Sequence, residues 1–324
     1  VTSNSASSTV IDGRTVDLLL NRAFGDQRSV ARFEGLCIGE PTTLVTGAVA
    51  CYAPTVEILT RAAESGRNLV IAREHPFFLH GGINHAYVSE GLLTDDPVLA
   101  LGPGGTDRDL IRMEGFTGDP VVEAKRALII DSGITVFRHG AAWDQFRPAA
   151  QSAALARALG MPVAAEQEHS RRRGVVCDLP APTPLLALAR TARTALGSTA
   201  PRIVGDAEAV ATRVGVIAGE TDPVSSLAEL LADPSVDCIV AGAGGILDEV
   251  DGGIAYFLDA AADRPISMLT VGYGPSHEPG VREMTEAIRA AVPSLDIEYW
   301  ASGDPGWVPS PASASATIEG AARA

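Results

Sequence analysis

Residues 68–76 read Asn-Leu-Val-Ile-Ala-Arg-Glu-His-Pro. Asn68–Ala72 is a short, nearly continuous apolar run, the pattern of a strand covered on both faces. It stops abruptly in a polar cluster, Arg73-Glu74-His75-Pro76. Upstream, Thr55–Ser65 has the spacing of an amphipathic helix, and Thr43–Cys51 is another apolar run. Strand, helix, strand and polar cluster together make one unit of a parallel α/β sheet, in which chemistry gathers after strand ends.

The alternation extends in both directions. Val16, Leu19, Leu20 and Ala23 form a helical stripe, Pro120–Asp131 a helix, Ile134–Arg138 a strand and Phe146–Leu159 a further helix. After a polar, Arg- and Pro-containing stretch, Val163–Pro182, which reads as a crossover, the pattern resumes. It gives helix Thr183–Leu196, strands Arg202–Val204 and Arg213–Ile217, helix Val224–Ala232 and strand Cys238–Val240. Helix Ile246–Ala262, strand Ile266–Val271, helix Pro279–Ala291 and strand Asp296–Tyr299 complete it. The expectation is an α/β fold of two similar α/β lobes: residues 14–162 and 163–305, with tails at 1–13 and 306–324. The glycine-rich span Pro76–Asp119 is long for a connection and is expected to be functional or disordered.

Composition excludes several classes. The chain has 324 residues, 46% hydrophobic and 20% charged, which is globular rather than disordered. A formal charge of −15 argues against a nucleic-acid groove, and Arg171-Arg172-Arg173 is too short a cationic run to change that. No stretch is long and apolar enough to span a membrane. Lys125 is the only lysine and lies in a helical stretch without the Gly-Lys-Ser/Thr frame of a phosphate loop, so Schiff-base and phosphate-loop chemistry are not expected. Cys37, Cys51, Cys177 and Cys238 include no C-x-x-C pair, so neither a cysteine zinc site nor a catalytic cysteine is expected. Val1–Ser8 is rich in Ser and Thr and lacks an apolar signal core; cytoplasmic placement is favoured over an exported mature form.

Three polar clusters follow predicted strands: Arg73-Glu74-His75-Pro76, His139-Gly140-Ala141-Ala142-Trp143-Asp144, and Gly272-Tyr273-Gly274-Pro275-Ser276-His277-Glu278. Histidines and carboxylates drawn from separate strand ends are the material of Zn, Mn or Fe sites. Equally, they are the material of polar loops and helix caps, with Asp144 or His277 at a helix N-terminus. His75, His80 and His85 recur every fifth residue, which is neither a helical nor a strand period, so they do not form a ligand row. His169, beside three arginines, reads as a surface residue. Gly242-Ala243-Gly244-Gly245 has Leu247 where the dinucleotide fingerprint needs glycine, and Ser276 lacks a nucleophile-elbow frame.

In order and setting, these clusters resemble the Nif-three-like family of dinuclear-metal proteins over about Arg14–Pro305. Gly35-Leu36-Cys37-Ile38-Gly39 resembles its early glycine segment, and Pro54–Glu57 with Asn68–Ile71 resembles its first helix and the strand leading to its metal loop. Arg202–Asp206 and Val214–Gly219 resemble the start of its second half. The family's paired histidines before proline read Glu74 and His75 here; its loop aspartate matches Asp144, with His139 one residue further away than usual. Its final histidine and glutamate become Tyr273 and His277. The resemblance implies a metal site in the cleft between lobes, with Glu74, His75, Asp144 and His277 as ligands of one or two divalent ions (Zn, Fe or Mn). It implies a metal-dependent hydrolase acting through a metal-activated water on a small heterocyclic or amide-like substrate, since the family is likened to a GTP cyclohydrolase. Glu278 or Glu74 is the expected general base. Tyr273 is a ligand, an oxyanion donor or a packed ring, and His139 a ligand or a partner of Asp144. The alternatives are metal binding or delivery without turnover, and redox chemistry at a single metal. A ring-like homo-oligomer is implied as well.

Overall fold

A computed structural model of the chain describes residues 11–25, 34–77, 119–168, 171–199, 201–220, 227–243, 252–304 and 306. They form an α/β fold with two mixed five-stranded sheets. The first contains β1 (Gly35–Ile38), β2 (Ala48–Cys51), β3 (Leu69–Ala72), β4 (Thr135–Arg138) and β10 (Ile297–Tyr299), in the order β1-β4-β3-β2-β10. β4, β3, β2 and β10 are parallel, and β1 runs antiparallel along β4. The strand period of two sorts their side chains between two cores. Ala48, Ala50, Leu69, Ile71 and Phe137 face α1 (Gly13–Phe24) and α10 (Tyr273–Ala291), which contribute Val16, Leu20, Val281, Met284 and Ile288. Val49, Cys51, Val70, Ala72 and Val136 face α2 (Val56–Glu64) and α3 (Pro120–Asp131), which contribute Ile58, Leu59, Val122 and Ile129. At roughly 1.5–3 kcal/mol for each large apolar side chain removed from water, these two faces hold the sheet.

Helix starts follow from local chemistry. Asp12 caps α1 by accepting from Thr15 N at 2.8 Å, and Asp119 caps α3 by accepting from Val121 N and Val122 N at 2.9 and 3.1 Å. Pro120 begins α3 where its missing N–H costs nothing.

The second sheet contains β5 (Val175–Pro184), β6 (Arg202–Val204), β7 (Val210–Glu220), β8 (Cys238–Ala243) and β9 (Ser267–Thr270), in the order β5-β7-β8-β9-β6. β7, β8 and β9 are parallel, flanked by antiparallel β5 and β6. Ile217, Ile239, Ala241 and Met268 pack with Leu230 of α8 (Ala228–Leu231) and Phe257 of α9 (Gly252–Ala261). The remaining helices are α4 (Ala141–Phe146), α5 (Ala150–Ala158), α6 (Ala165–Glu168) and α7 (Leu185–Leu196). No described helix is long and apolar enough to cross a membrane.

Several elements depart from the sequence expectation. Phe146–Leu159 is not one helix: α4 ends at Phe146 and α5 begins at Ala150, with Pro148 between them. The supposed crossover Val163–Pro182 contains α6 and most of β5. Prolines at 180, 182 and 184 are tolerated there because β5 is an edge strand. Residues 11–13 are not tail: Ile11 is buried and α1 starts at Gly13. The compact units also divide the chain differently from a cut at residue 162. One comprises Val1–Gln151, Glu168–Arg171 and Glu278–Ser302, the other Ser152–Gln167, Arg172–His277 and Gly303–Ala324. Glu278–Ser302 joins the first because β10 pairs with β2. His80, His85, His169, Gly244-Gly245 and nearly all of the 76–119 span lie outside the described residues.

Candidate functional site

In the first unit, the parallel register sets Cys51, Ala72 and Arg138 level at the carboxyl ends of β2, β3 and β4. The residues beyond them are fixed by bonds that continue the ladder. Arg73 N donates to Cys51 O at 3.0 Å, Glu74 N to Tyr52 O at 2.9 Å and His139 N to Ala72 O at 2.9 Å. A Cβ on Gly140 would stand 2.5 Å from Arg73 O, so only glycine lets the turns after β3 and β4 meet.

This edge is built of ion pairs. Arg73 donates from Nη1 and Nη2 to the two oxygens of Asp144 at 3.0 and 2.8 Å. Its Nε lies 3.9 Å from Glu74. Arg138 Nε donates to Arg73 O at 3.1 Å, and lies 3.4 Å from Glu34 Oε1, while its Nη2 is 4.0 Å from Glu74. Glu34 also caps α4, whose own N-cap, Gly140, has no side chain to do so. Ala141 N and Ala142 N donate to its two oxygens at 3.0 and 3.2 Å. Burial pushes the Glu34 carboxyl above its ordinary value, against the opposing pull of Arg138 and these two N–H groups.

The histidines of this edge are held neutral. Burial, with Arg138 and Lys125 adding to it, drives His75 down to about 3. Burial also takes His139 down to about 4 although Asp144 pulls the other way, and its ring packs 5.2 Å from that of Phe24. His75 Nδ1 accepts from Phe77 N at 3.1 Å, which places the ring proton on Nε2. Lys125, on α3, reaches the first polar cluster. Its side chain is buried, Nζ donates to Pro76 O at 2.5 Å, and burial lowers its pKa to about 8. Glu278 belongs to this unit too, accepting from Tyr299 Oη at 2.6 Å and Ser302 N at 2.8 Å.

In the second unit, the carboxyl ends of β7, β8 and β9 meet the start of α10. That helix begins at Tyr273 rather than Pro279, so the third polar cluster is largely helical. Ser276 Oγ accepts from Gly219 N at 2.9 Å and donates to Tyr273 O at 2.6 Å. A Cβ on Gly242 would overlap Ser276 Oγ and the Gly219 backbone. His277 is buried, with its ring edge-on to Tyr273 at 4.9 Å.

The first unit thus brings Glu74, His75, His139 and Asp144 to one sheet edge, with Glu278 in the same unit; Tyr273 and His277 belong to the second. Among the described residues, no three His, Cys, Asp or Glu side chains are grouped to hold an ion. In the first unit the donors do not fit a divalent metal for a chemical reason. Asp144 has both oxygens on Arg73, Glu278 is taken by Tyr299 and Ser302, and His75 presents an N–H rather than a lone pair. Sequence reasoning missed Glu34, Arg138 and Lys125 as members of this edge. Arg138 had a signal, being the last residue of a predicted strand; Glu34 had none, because its place depends on the β1–β4 register.

The fold is similar to that of solved proteins, among them one related to NIF3. A Bacillus cereus protein related to NIF3 superimposes with a TM-score of 0.62 at 13% identity, covering 93% of this chain and 100% of its own. A Staphylococcus aureus hypothetical protein gives 0.60 at 16% identity, covering 92% and 99%. The protein ybgI, described as of unknown function, gives 0.59 at 20% identity, covering 91% and 100%. These identities make the likeness one of fold. No family model and no curated protein matches the sequence.

Proposed function

We propose that the chain is a hydrolase of small amide-like or heterocyclic molecules, working at the carboxyl edge of the first sheet with Glu74 as general base. The observation that supports this is the setting of Glu74. It is a carboxylate 20% exposed in its side chain, with a guanidinium nitrogen about 4 Å away on either side, at 3.9 and 4.0 Å. Asp144 is held by a bidentate pair and Glu34 by two backbone N–H groups, whereas the ion-pair contacts of Glu74 are near 4 Å. A carboxylate so placed takes a proton from an attacking water, while the flanking guanidinium groups favour the negative charge that develops on the carbonyl oxygen. His75 Nε2–H is a further neutral donor at the same edge. The like fold of the NIF3-related structures says nothing of this activity.

The test is a panel of cyclic amides and imines assayed for ring opening by wild type and Glu74→Gln. Turnover should fall by about 100-fold or more in Glu74→Gln, the ordinary loss on removing a general base, with substrate still bound. Undiminished turnover in Glu74→Gln would refute the assignment. Binding of panel members without turnover by wild type would make the protein a binding module instead.

A further inference from the structure

We infer that Arg73 is the resident cation of the first unit's strand-end site, holding the Asp144 carboxylate that a divalent ion would otherwise ligate. The pairing is bidentate, at 3.0 and 2.8 Å, the geometry in which a planar guanidinium matches a carboxylate best. It is also enclosed, with side-chain exposures of 9% for Arg73 and 17% for Asp144. Arg73 is anchored on further sides: Nη1 lies 3.4 Å from Gly140 O, and its own carbonyl receives Arg138 Nε. Gly140 is the residue that permits this approach.

Charge points the same way. Two guanidinium groups, Arg73 and Arg138, face three carboxylates, Glu34, Glu74 and Asp144, so the positive charge a divalent ion would bring is already built into the chain. An ion approaching Asp144 must either expel Arg73 or sit against it, and like charges at contact distance in a partly desolvated site repel strongly. This inference goes beyond the hydrolytic reading, because it concerns what neutralises the edge rather than what reacts there.

The experiment uses the full chain, dialysed against chelator, then titrated with Co(II) while visible absorption is followed. Wild type should show no Co(II) band that depends on Asp144, and its Tm should be unchanged by chelation. Arg73→Met leaves Asp144 without its cation and should bind Co(II) roughly tenfold or more tighter than wild type. A wild type that binds about one equivalent of Co(II), with the band lost in Asp144→Asn, overturns the inference. So does an Arg73→Met protein that folds yet binds Co(II) no better than wild type. Should Arg73→Met fail to fold, Asp144→Asn decides: equal metal content in wild type and Asp144→Asn before chelation supports the inference, and an excess in wild type refutes it. None of these readouts is turnover, so the role of Glu74 stands or falls separately.

Discussion

The two sheets end their parallel strands in opposite ways. At the edge of β2, β3 and β4 the chain places two guanidinium groups among three carboxylates, joined in ion pairs. At the edge of β7, β8 and β9 it places glycines and a serine hydroxyl, so that backbone meets backbone. The same position in the same kind of sheet is closed by electrostatics in one unit and by close packing in the other. Each solution fails differently when disturbed, and that difference is measurable.

The largest effect should come from the charged edge. Arg138→Met leaves Glu34 buried without its guanidinium and should cost about 3–5 kcal/mol in urea unfolding. A loss below about 1 kcal/mol, the scale of a surface pair, would show that the α4 N–H groups suffice to hold Glu34. In the second unit, Gly242→Ala forces a methyl into Ser276 and the Gly219 backbone, and should cost about 2–3 kcal/mol. Tolerance of alanine there would mean that the packed edge is looser than the charged one.

A pH series separates the edges next. His75 and His139 have folded pKa values near 3 and 4, below the ordinary 6.5, so between those limits the unfolded chain holds protons that the folded chain refuses. Stability is therefore retained above pH 6.5 and falls as the pH drops through that window, by up to ~1.4 kcal/mol per pH unit for each histidine. Glu34, raised by burial, acts with the opposite sign above its ordinary 4.5, where the folded chain keeps a proton longer. Urea midpoints from pH 7.5 to 4.5 should fall, and His139→Phe should flatten the slope by one histidine's share. A flat profile in wild type would contradict the burial of both rings. The smallest effect is expected of Ser276→Ala, about 1–2 kcal/mol for the bonds its Oγ makes with Gly219 N and Tyr273 O.

Much of the fold was legible because its signals are local. The runs at 68–72 and 134–138 are apolar enough to be strands whatever surrounds them, and Asp119-Pro120 marks a helix start within two residues. β5 escaped notice because its prolines read as breakers, and only its edge position, a fact of tertiary structure, makes them harmless. The start of α10 was missed for a related reason. Gly274-Pro275 reads as a loop, yet a proline in the first turn of a helix gives up no internal bond. At the site, residue types were legible and partners were not. Glu74, His75 and Asp144 stood out in the sequence, but that Asp144 faces Arg73 depends on register and on how closely Gly140 lets two turns approach. Nothing within a few residues of Lys125 announced that its side chain would reach Pro76.

The position of β10 bears on synthesis. It is the last strand among the described residues, and it pairs with β2, the second. All five strands of the second sheet lie between residues 175 and 270, so a ribosome delivers that sheet whole while the first still lacks its edge strand and much of α10. Among the described strands, the first unit is therefore the later of the two to receive its full set. Until Ile297–Tyr299 emerges, the nascent chain carries an open β2 edge beside an uncovered apolar face, the state in which chaperones or aggregation compete for it.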